Sequence, residues 1–157
     1  MEKFYNALRE GNIGTVGELL KVHPEWANKK DQRGSTPLIL STYYNHVASI
    51  PVLLDAGAAI DEKDASGNTA LMGVCFKGYH EAAEMLIGYG AKVNEQNAMG
   101  ATALIYAATF NHLAVAKLLL NSGADFHVKD ARGNTALDHA KMQGAPEMID
   151  LLEAVTG

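Results

Sequence analysis

Residues 64–96 read DASGNTALMGVCFKGYHEAAEMLIGYGAKVNEQ, and residues 97–129 read NAMGATALIYAATFNHLAVAKLLLNSGADFHVK. Laid over each other without a gap, they share Gly67 with Gly100, Thr69 with Thr102, Leu71 with Leu104, and Gly90-Ala91 with Gly123-Ala124. The same frame runs outward to Asp31 on one side and Asp130 on the other. Successive starts at 31, 64, 97 and 130 differ by 33 (64−31, 97−64, 130−97). Self-similarity at a period of roughly 20–50 residues is the signature of a stacked-repeat architecture, in which each unit buries its apolar face against the next.

Each recurring position has a physical reason. Asp31, Asp64, Asn97 and Asp130 can hydrogen-bond their own backbone and close a tight turn. Gly34, Gly67, Gly100 and Gly133 supply a positive φ at the tip. Thr36, Thr69, Thr102 and Thr135 are helix N-caps, and Pro37 sits at a first helical position. The stretch after each Thr, such as Leu104-Ile105-Tyr106-Ala107-Ala108, is a short helix too apolar to stand alone. Asn45, Gly78, Asn111 and Gly144 then mark a left-handed turn between helices. A second helix follows, as in Val115 to Leu120, and Gly57, Gly90 or Gly123 stops it.

Asp-x-x-Gly-x-Thr-(Pro/Ala)-Leu, followed by Gly-Ala after a Leu-rich helix, resembles the ankyrin repeat over roughly the whole chain. The resemblance implies an all-α solenoid of stacked helix-turn-helix units with short β-hairpin or turn tips. One domain over 1–157 is expected, with an N-terminal cap at about 1–30, repeats at 31–63, 64–96 and 97–129, and a C-terminal cap at 130–157. In the N-terminal cap, Gly11-Asn12 marks the turn between helices, and Trp26 is expected in the apolar slot held elsewhere by Ile60 and Val93. In the last helix, Glu147, Asp150 and Glu153 are expected on the outer face, as the end of a repeat array requires. Where many ankyrin repeats have a His after Thr-Pro-Leu, this chain has Ile39, Met72, Ile105 and Asp138, so a softer polar network between repeats is expected.

Composition narrows the function. The 13 basic and 18 acidic residues give a formal charge of −5, which weighs against a protein that tracks phosphates. The lone Cys75 cannot form an internal disulfide. No apolar run approaches the roughly 20 residues of a membrane span, and Met1 to Asn6 lack the apolar stretch of a secretory signal. A cytoplasmic, monomeric protein is expected.

Little in the chain has the spacing of catalysis. Gly73 and Gly78 lack the following Lys-Ser/Thr of a phosphate loop. His80-Glu81-Ala82-Ala83-Glu84 has Glu where a zinc helix needs a second His. The six histidines are scattered through the repeat. Cys75 occupies a core position with no base placed beside it. No enzyme activity, cofactor or metal is expected.

The resemblance implies that a protein or peptide partner meets the tips and the inner helix ends. At the tips these are Arg33, Lys63, Met99 and Arg132. At the helix ends they are Tyr43, Tyr44, Phe76, Lys77, Phe110 and Met142. Equivalent positions stack, so the helix ends are expected to line one concave path of roughly 30 Å at about 10 Å per repeat, the span of an extended peptide of about nine residues. Tyr43, Tyr44, Phe76 and Phe110 are the expected anchors, with Met99 and Met142 as adaptable flanks. The competing expectation is that one or two of these rings fold onto the neighbouring repeat. A different class of function, ligand or nucleic-acid binding by basic tips, rests on Lys29, Lys30, Arg33, Lys63, Lys129 and Arg132.

Overall fold

The computed structural model describes residues 1–156. Five helix pairs follow one another along the chain. They are α1 (Glu2–Glu10) and α2 (Ile13–Val22), α3 (Pro37–Tyr43) and α4 (Ser49–Asp55), α5 (Ala70–Lys77) and α6 (His80–Gly88), α7 (Ala103–Thr109) and α8 (Leu113–Asn121), and α9 (Ala136–Gln143) and α10 (Pro146–Thr156). The repeat's Thr opens each of the later pairs. Its hydroxyl accepts the N–H three residues on, from Ile39 at 3.1 Å and from Met72, Ile105 and Asp138 at 3.2 Å each. In α9, Asp138 returns the bond by accepting the N–H of Thr135 at 2.9 Å, which completes a capping box.

Helices this short are marginal in water by themselves and depend on packing. The first helices α1, α3, α5, α7 and α9 pack side by side in one layer, and the second helices form another layer behind them. The core lies between the layers. Leu53, Leu86, Leu119 and Leu152 recur at the repeat spacing, and each is fully buried. Truncating one of them to Ala would cost about 2–5 kcal/mol in lost transfer energy and residual cavity. Small residues (Cys75, Ala107, Ala108 and Ala140, all buried) let neighbouring first helices approach closely. Trp26 is half-buried against the core, as are Ile60 and Val93. It stacks on His23 at 3.9 Å and tilts against Phe4 at 5.5 Å. Glu147, Asp150 and Glu153 of α10 are exposed.

Polar bonds tie each repeat to the next. Asn28 accepts the N–H of Ala59 at 2.8 Å and donates to the carbonyl of Gly57 at 3.0 Å. Asn94 makes the equivalent pair with Asp125 and Gly123, and Asp61 accepts from Lys92. His46 Nε2 lies 2.6 Å from the carbonyl oxygen of Arg9, and His112 Nε2 lies 2.9 Å from that of Phe76. The inter-repeat network is thus not lost with the missing Thr-Pro-Leu histidines. It is carried by other side chains at the repeat ends.

The tips are turns, and no β-strand occurs among the described residues. Each tip is closed by two backbone bonds, such as Asp64 N–H to the carbonyl of Asn68 at 2.9 Å and Gly67 N–H to that of Asp64 at 3.0 Å, too few to make a ladder. Asp31, Asp64, Asn97 and Asp130 each accept two backbone N–H groups of their own turn through Oδ1. Neighbouring tips also bond to one another: Ala98 N–H reaches the carbonyl of Ser66 at 3.1 Å, and Ala131 N–H reaches that of Met99 at 2.9 Å.

Candidate protein-interaction surface

The ends of the first helices place their large side chains along one edge of the layer. Tyr43, Tyr44, Phe76 and Phe110 remain 54%, 46%, 42% and 46% exposed, and Met142 is more exposed still. These rings touch one another without being covered. Tyr43 and Tyr44 meet edge to face at 5.1 Å. Phe76 tilts against Phe110 at 4.5 Å and meets Tyr106 edge to face at 5.4 Å.

A diagonal rule organises the strip. Phe76 contacts the residue 34 positions on (110−76), and Tyr43 is contacted by the residue 34 positions on (77−43). There the Lys77 ammonium lies 4.5 Å from the ring centroid. The expected lean of one or two rings onto a neighbouring repeat is seen at Phe76 and Phe110. Each ring leans on a neighbour, which limits its rotamers, and still offers roughly half its surface. An anchor held in place loses little side-chain entropy on binding.

The tips behave differently. Met99, Arg33 and Arg132 are exposed, and the two arginines make no ion pair among the described residues. Lys63 is engaged: its ammonium donates to the carbonyl of Gln96 at 2.9 Å and lies 3.8 Å from Glu95. Lys30 pairs with Glu62 at 3.2 Å. Half-exposed pairs of this kind contribute little to stability, but they offset the positive charge that the tips show in the sequence.

Tyr106, Gly73 and Asp64 also belong to this face and went unnoticed as surface residues in the sequence. With Tyr43 and Phe76 they line a cavity of about 290 Å³ between the second and fourth repeats. The signal lay in the ninth position after each turn Asp or Asn, which reads Leu40, Gly73, Tyr106 and His139. His139 Nε2 lies 2.7 Å from Asp130 Oδ2. Burial alone would raise the pKa of Asp130. The hydrogen bond from His139 and the backbone N–H groups of Asn134 and Arg132 outweigh it and hold the carboxyl below its usual value. Asp138 is also held low, first by the N–H of Thr135. Cys75 is buried in the core, and burial pushes its thiol far above the ordinary range, so it rests as a neutral thiol. Among the described residues, no cluster of His, Cys, Asp and Glu has the arrangement of a metal site.

A family model described as ankyrin repeats (3 copies) matches residues 4–97, 59–130 and 75–154. The chain belongs to the ankyrin-repeat family. The matches overlap and together run from α1 into α10, so both terminal helix pairs fall within the repeat region. Members of this family are in general protein–protein interaction modules. No curated protein matches the chain. None of its described helices is long and apolar enough to cross a membrane.

Proposed function

We propose that this ankyrin-repeat chain is one binding domain over 1–157, acting as an adaptor, inhibitor or regulatory subunit that holds a protein or peptide segment on its concave face and tips. The observation that carries the reading is the strip of half-exposed rings, Tyr43, Tyr44, Phe76 and Phe110, on the ends of stacked helices. Exposed aromatics are costly to leave in water and common as interface anchors. Here they stand on a layer whose repeats are tied together by backbone and side-chain bonds, so their spacing is fixed before a partner arrives. Arg33 and Arg132 at the tips add charged contacts for acidic groups of the partner. Lys63 and Lys77 are already held by neighbours and serve as flanks. Met99 and Met142 adapt to its apolar groups. In this reading the partner supplies any catalysis, and the lone buried Cys75 suits a monomer in a reducing cytoplasm. The basic-tip alternative draws less support, because Lys30 and Lys63 lie beside Glu62 and Glu95.

Affinity capture from the native source tests the proposal, with wild type run beside a Tyr44→Ala/Phe76→Ala/Phe110→Ala variant shown to be folded. A protein retained by wild type and lost by the variant is the expected result. Equal retention by both would move the site away from the concave face.

A further inference from the structure

The inner helices carry one residue, nine positions after the turn Asp or Asn, that can answer the side chain of that turn (40−31, 73−64, 106−97, 139−130). In the last repeat it is His139, 2.7 Å from Asp130 Oδ2. In the fourth it is Tyr106, whose hydroxyl accepts from Asn97 Nδ2 at 2.6 Å. In the second it is the apolar Leu40. In the third it is Gly73, and Asp64 is left without a ring to meet it.

Gly73 has no steric reason to be glycine. A Cβ built there would meet nothing within 4 Å, and glycine inside a helix is less stable than alanine. What its small size creates is the cavity of about 290 Å³, lined by the rings of Tyr43, Phe76 and Tyr106 and by Asp64. The size lies just below the roughly 300–1,000 Å³ of small-molecule pockets and suits one inserted side chain. Asp64 Oδ1 is engaged by the N–H groups of Ser66 and Asn68, each at 2.9 Å. Its Oδ2 is the atom equivalent to the one His139 reaches in the last repeat. It accepts no hydrogen bond among the described residues. Lys77 also lines the cavity, with its ammonium over Tyr43, so an incoming cation would meet a like charge.

We infer that this cavity is a subsite for one aromatic side chain bearing a hydrogen-bond donor, a neutral histidine or a tyrosine of the bound segment. Its ring lies among Tyr43, Phe76 and Tyr106, and its N–H or O–H reaches Asp64 Oδ2. The partner thereby supplies in the third repeat what His139 supplies in the fifth. Three aromatic rings favour an aromatic guest, and a donor aimed at a carboxylate makes one of the stronger hydrogen bonds. The inference rests on the concave-face reading above and specifies what that face selects.

The test needs only the isolated protein and three probes: p-cresol, 4-methylimidazole, and toluene as the ring without a donor. Amide chemical shifts of ¹⁵N-labelled protein are followed at pH 8, where the imidazole is largely neutral. The expected result is saturable shifts at Asp64, Asn68, Gly73 and Phe76 with both donors, and binding of toluene about tenfold weaker. Asp64→Ser keeps a turn acceptor while removing Oδ2, and should erase the preference for donors over toluene. Gly73→His should fill the cavity with its own ring, abolish probe binding, and melt above Gly73→Ala. Toluene binding as well as the donors, both variants binding the probes like wild type, or no shifts with any probe would each overturn the inference. Because no partner is used, such a failure leaves the concave-face reading standing, and a failed partner capture leaves the probe result intact.

Discussion

The first tip, residues 31–35, and the third, residues 97–101, have the same turn and different neighbours. Both are closed by an Asp or Asn that accepts two backbone N–H groups, and both place glycine at positive φ, 81° at Gly34 and 74° at Gly100. Yet a Cβ on Gly100 would come within 2.9 Å of the Ala131 backbone nitrogen, and one on Gly67 within 2.8 Å of that of Ala98. A Cβ on Gly34 would meet the Ala65 side chain first, at 3.2 Å, and one on Gly133 meets nothing. The closeness at Gly67 and Gly100 goes with the backbone bonds from Ala98 to Ser66 and from Ala131 to Met99, and no such bond joins the first tip to the second. One sequence motif therefore does two jobs. Everywhere it makes a turn. Among tips two to four it also locks one repeat to the next.

The sharpest break of this comparison is the glycine series. Gly67→Val and Gly100→Val combine strained φ with collision against backbone, and each should lose more than about 3 kcal/mol of stability. Gly133→Val carries the strain alone, about 1–3 kcal/mol. Denaturant melts of the three variants decide this, and equal losses would remove the distinction between the tips. The next effect is smaller. Proline suits the first corner of a type I turn, the position of Ala65 and Ala98. Ala98→Pro removes the N–H that bonds Ser66 and should cost about 1–2 kcal/mol. Ala65→Pro removes no inter-tip bond and should be neutral or stabilising by up to about 1 kcal/mol. A loss of the same size at both positions would show that the inter-tip bond carries nothing.

The smallest expected effect concerns acid. Asp130 and Asp138 both have depressed folded-state pKa values, so their contribution is complete above the unfolded carboxylate value of about 4 and fades as pH falls through the lower folded values. Both lie in the last repeat. Amide protection there, taken relative to the intrinsic exchange rate at each pH, should fall on going from pH 5 towards pH 3, ahead of protection in α5 and α7. Protection lost first in α5 would contradict this order.

The sequence pattern made most of the fold legible. The period of 33 gave the helix pairs, the Thr caps and the left-handed turns, because those features follow from short-range backbone chemistry. The tips illustrate a limit. Their turn residues are written in the sequence, but whether two tips touch depends on how the repeats stack. Asn28, Asp61 and Asn94 were equally hard to read, since their partners lie about one repeat away, as Ala59 does from Asn28. Of the candidate surface, the exposed rings were foreseen from their stacking positions. The diagonal contacts and the Gly73 cavity were not, because an absent side chain leaves no local pattern and its meaning appears only beside Tyr106 and His139.

The most direct test of the concave-face account compares two aromatics of matched exposure on opposite layers. Phe110 ends a first helix and is 46% exposed, and Tyr89 ends the second helix α6 and is 48% exposed. With the captured partner in hand, affinity is measured for Phe110→Ala and Tyr89→Ala. The account predicts at least a tenfold loss for Phe110→Ala, about 1.4 kcal/mol or more, and wild-type affinity for Tyr89→Ala. Loss at Tyr89 with full affinity retained by Phe110→Ala would place the partner on the second-helix layer and contradict it.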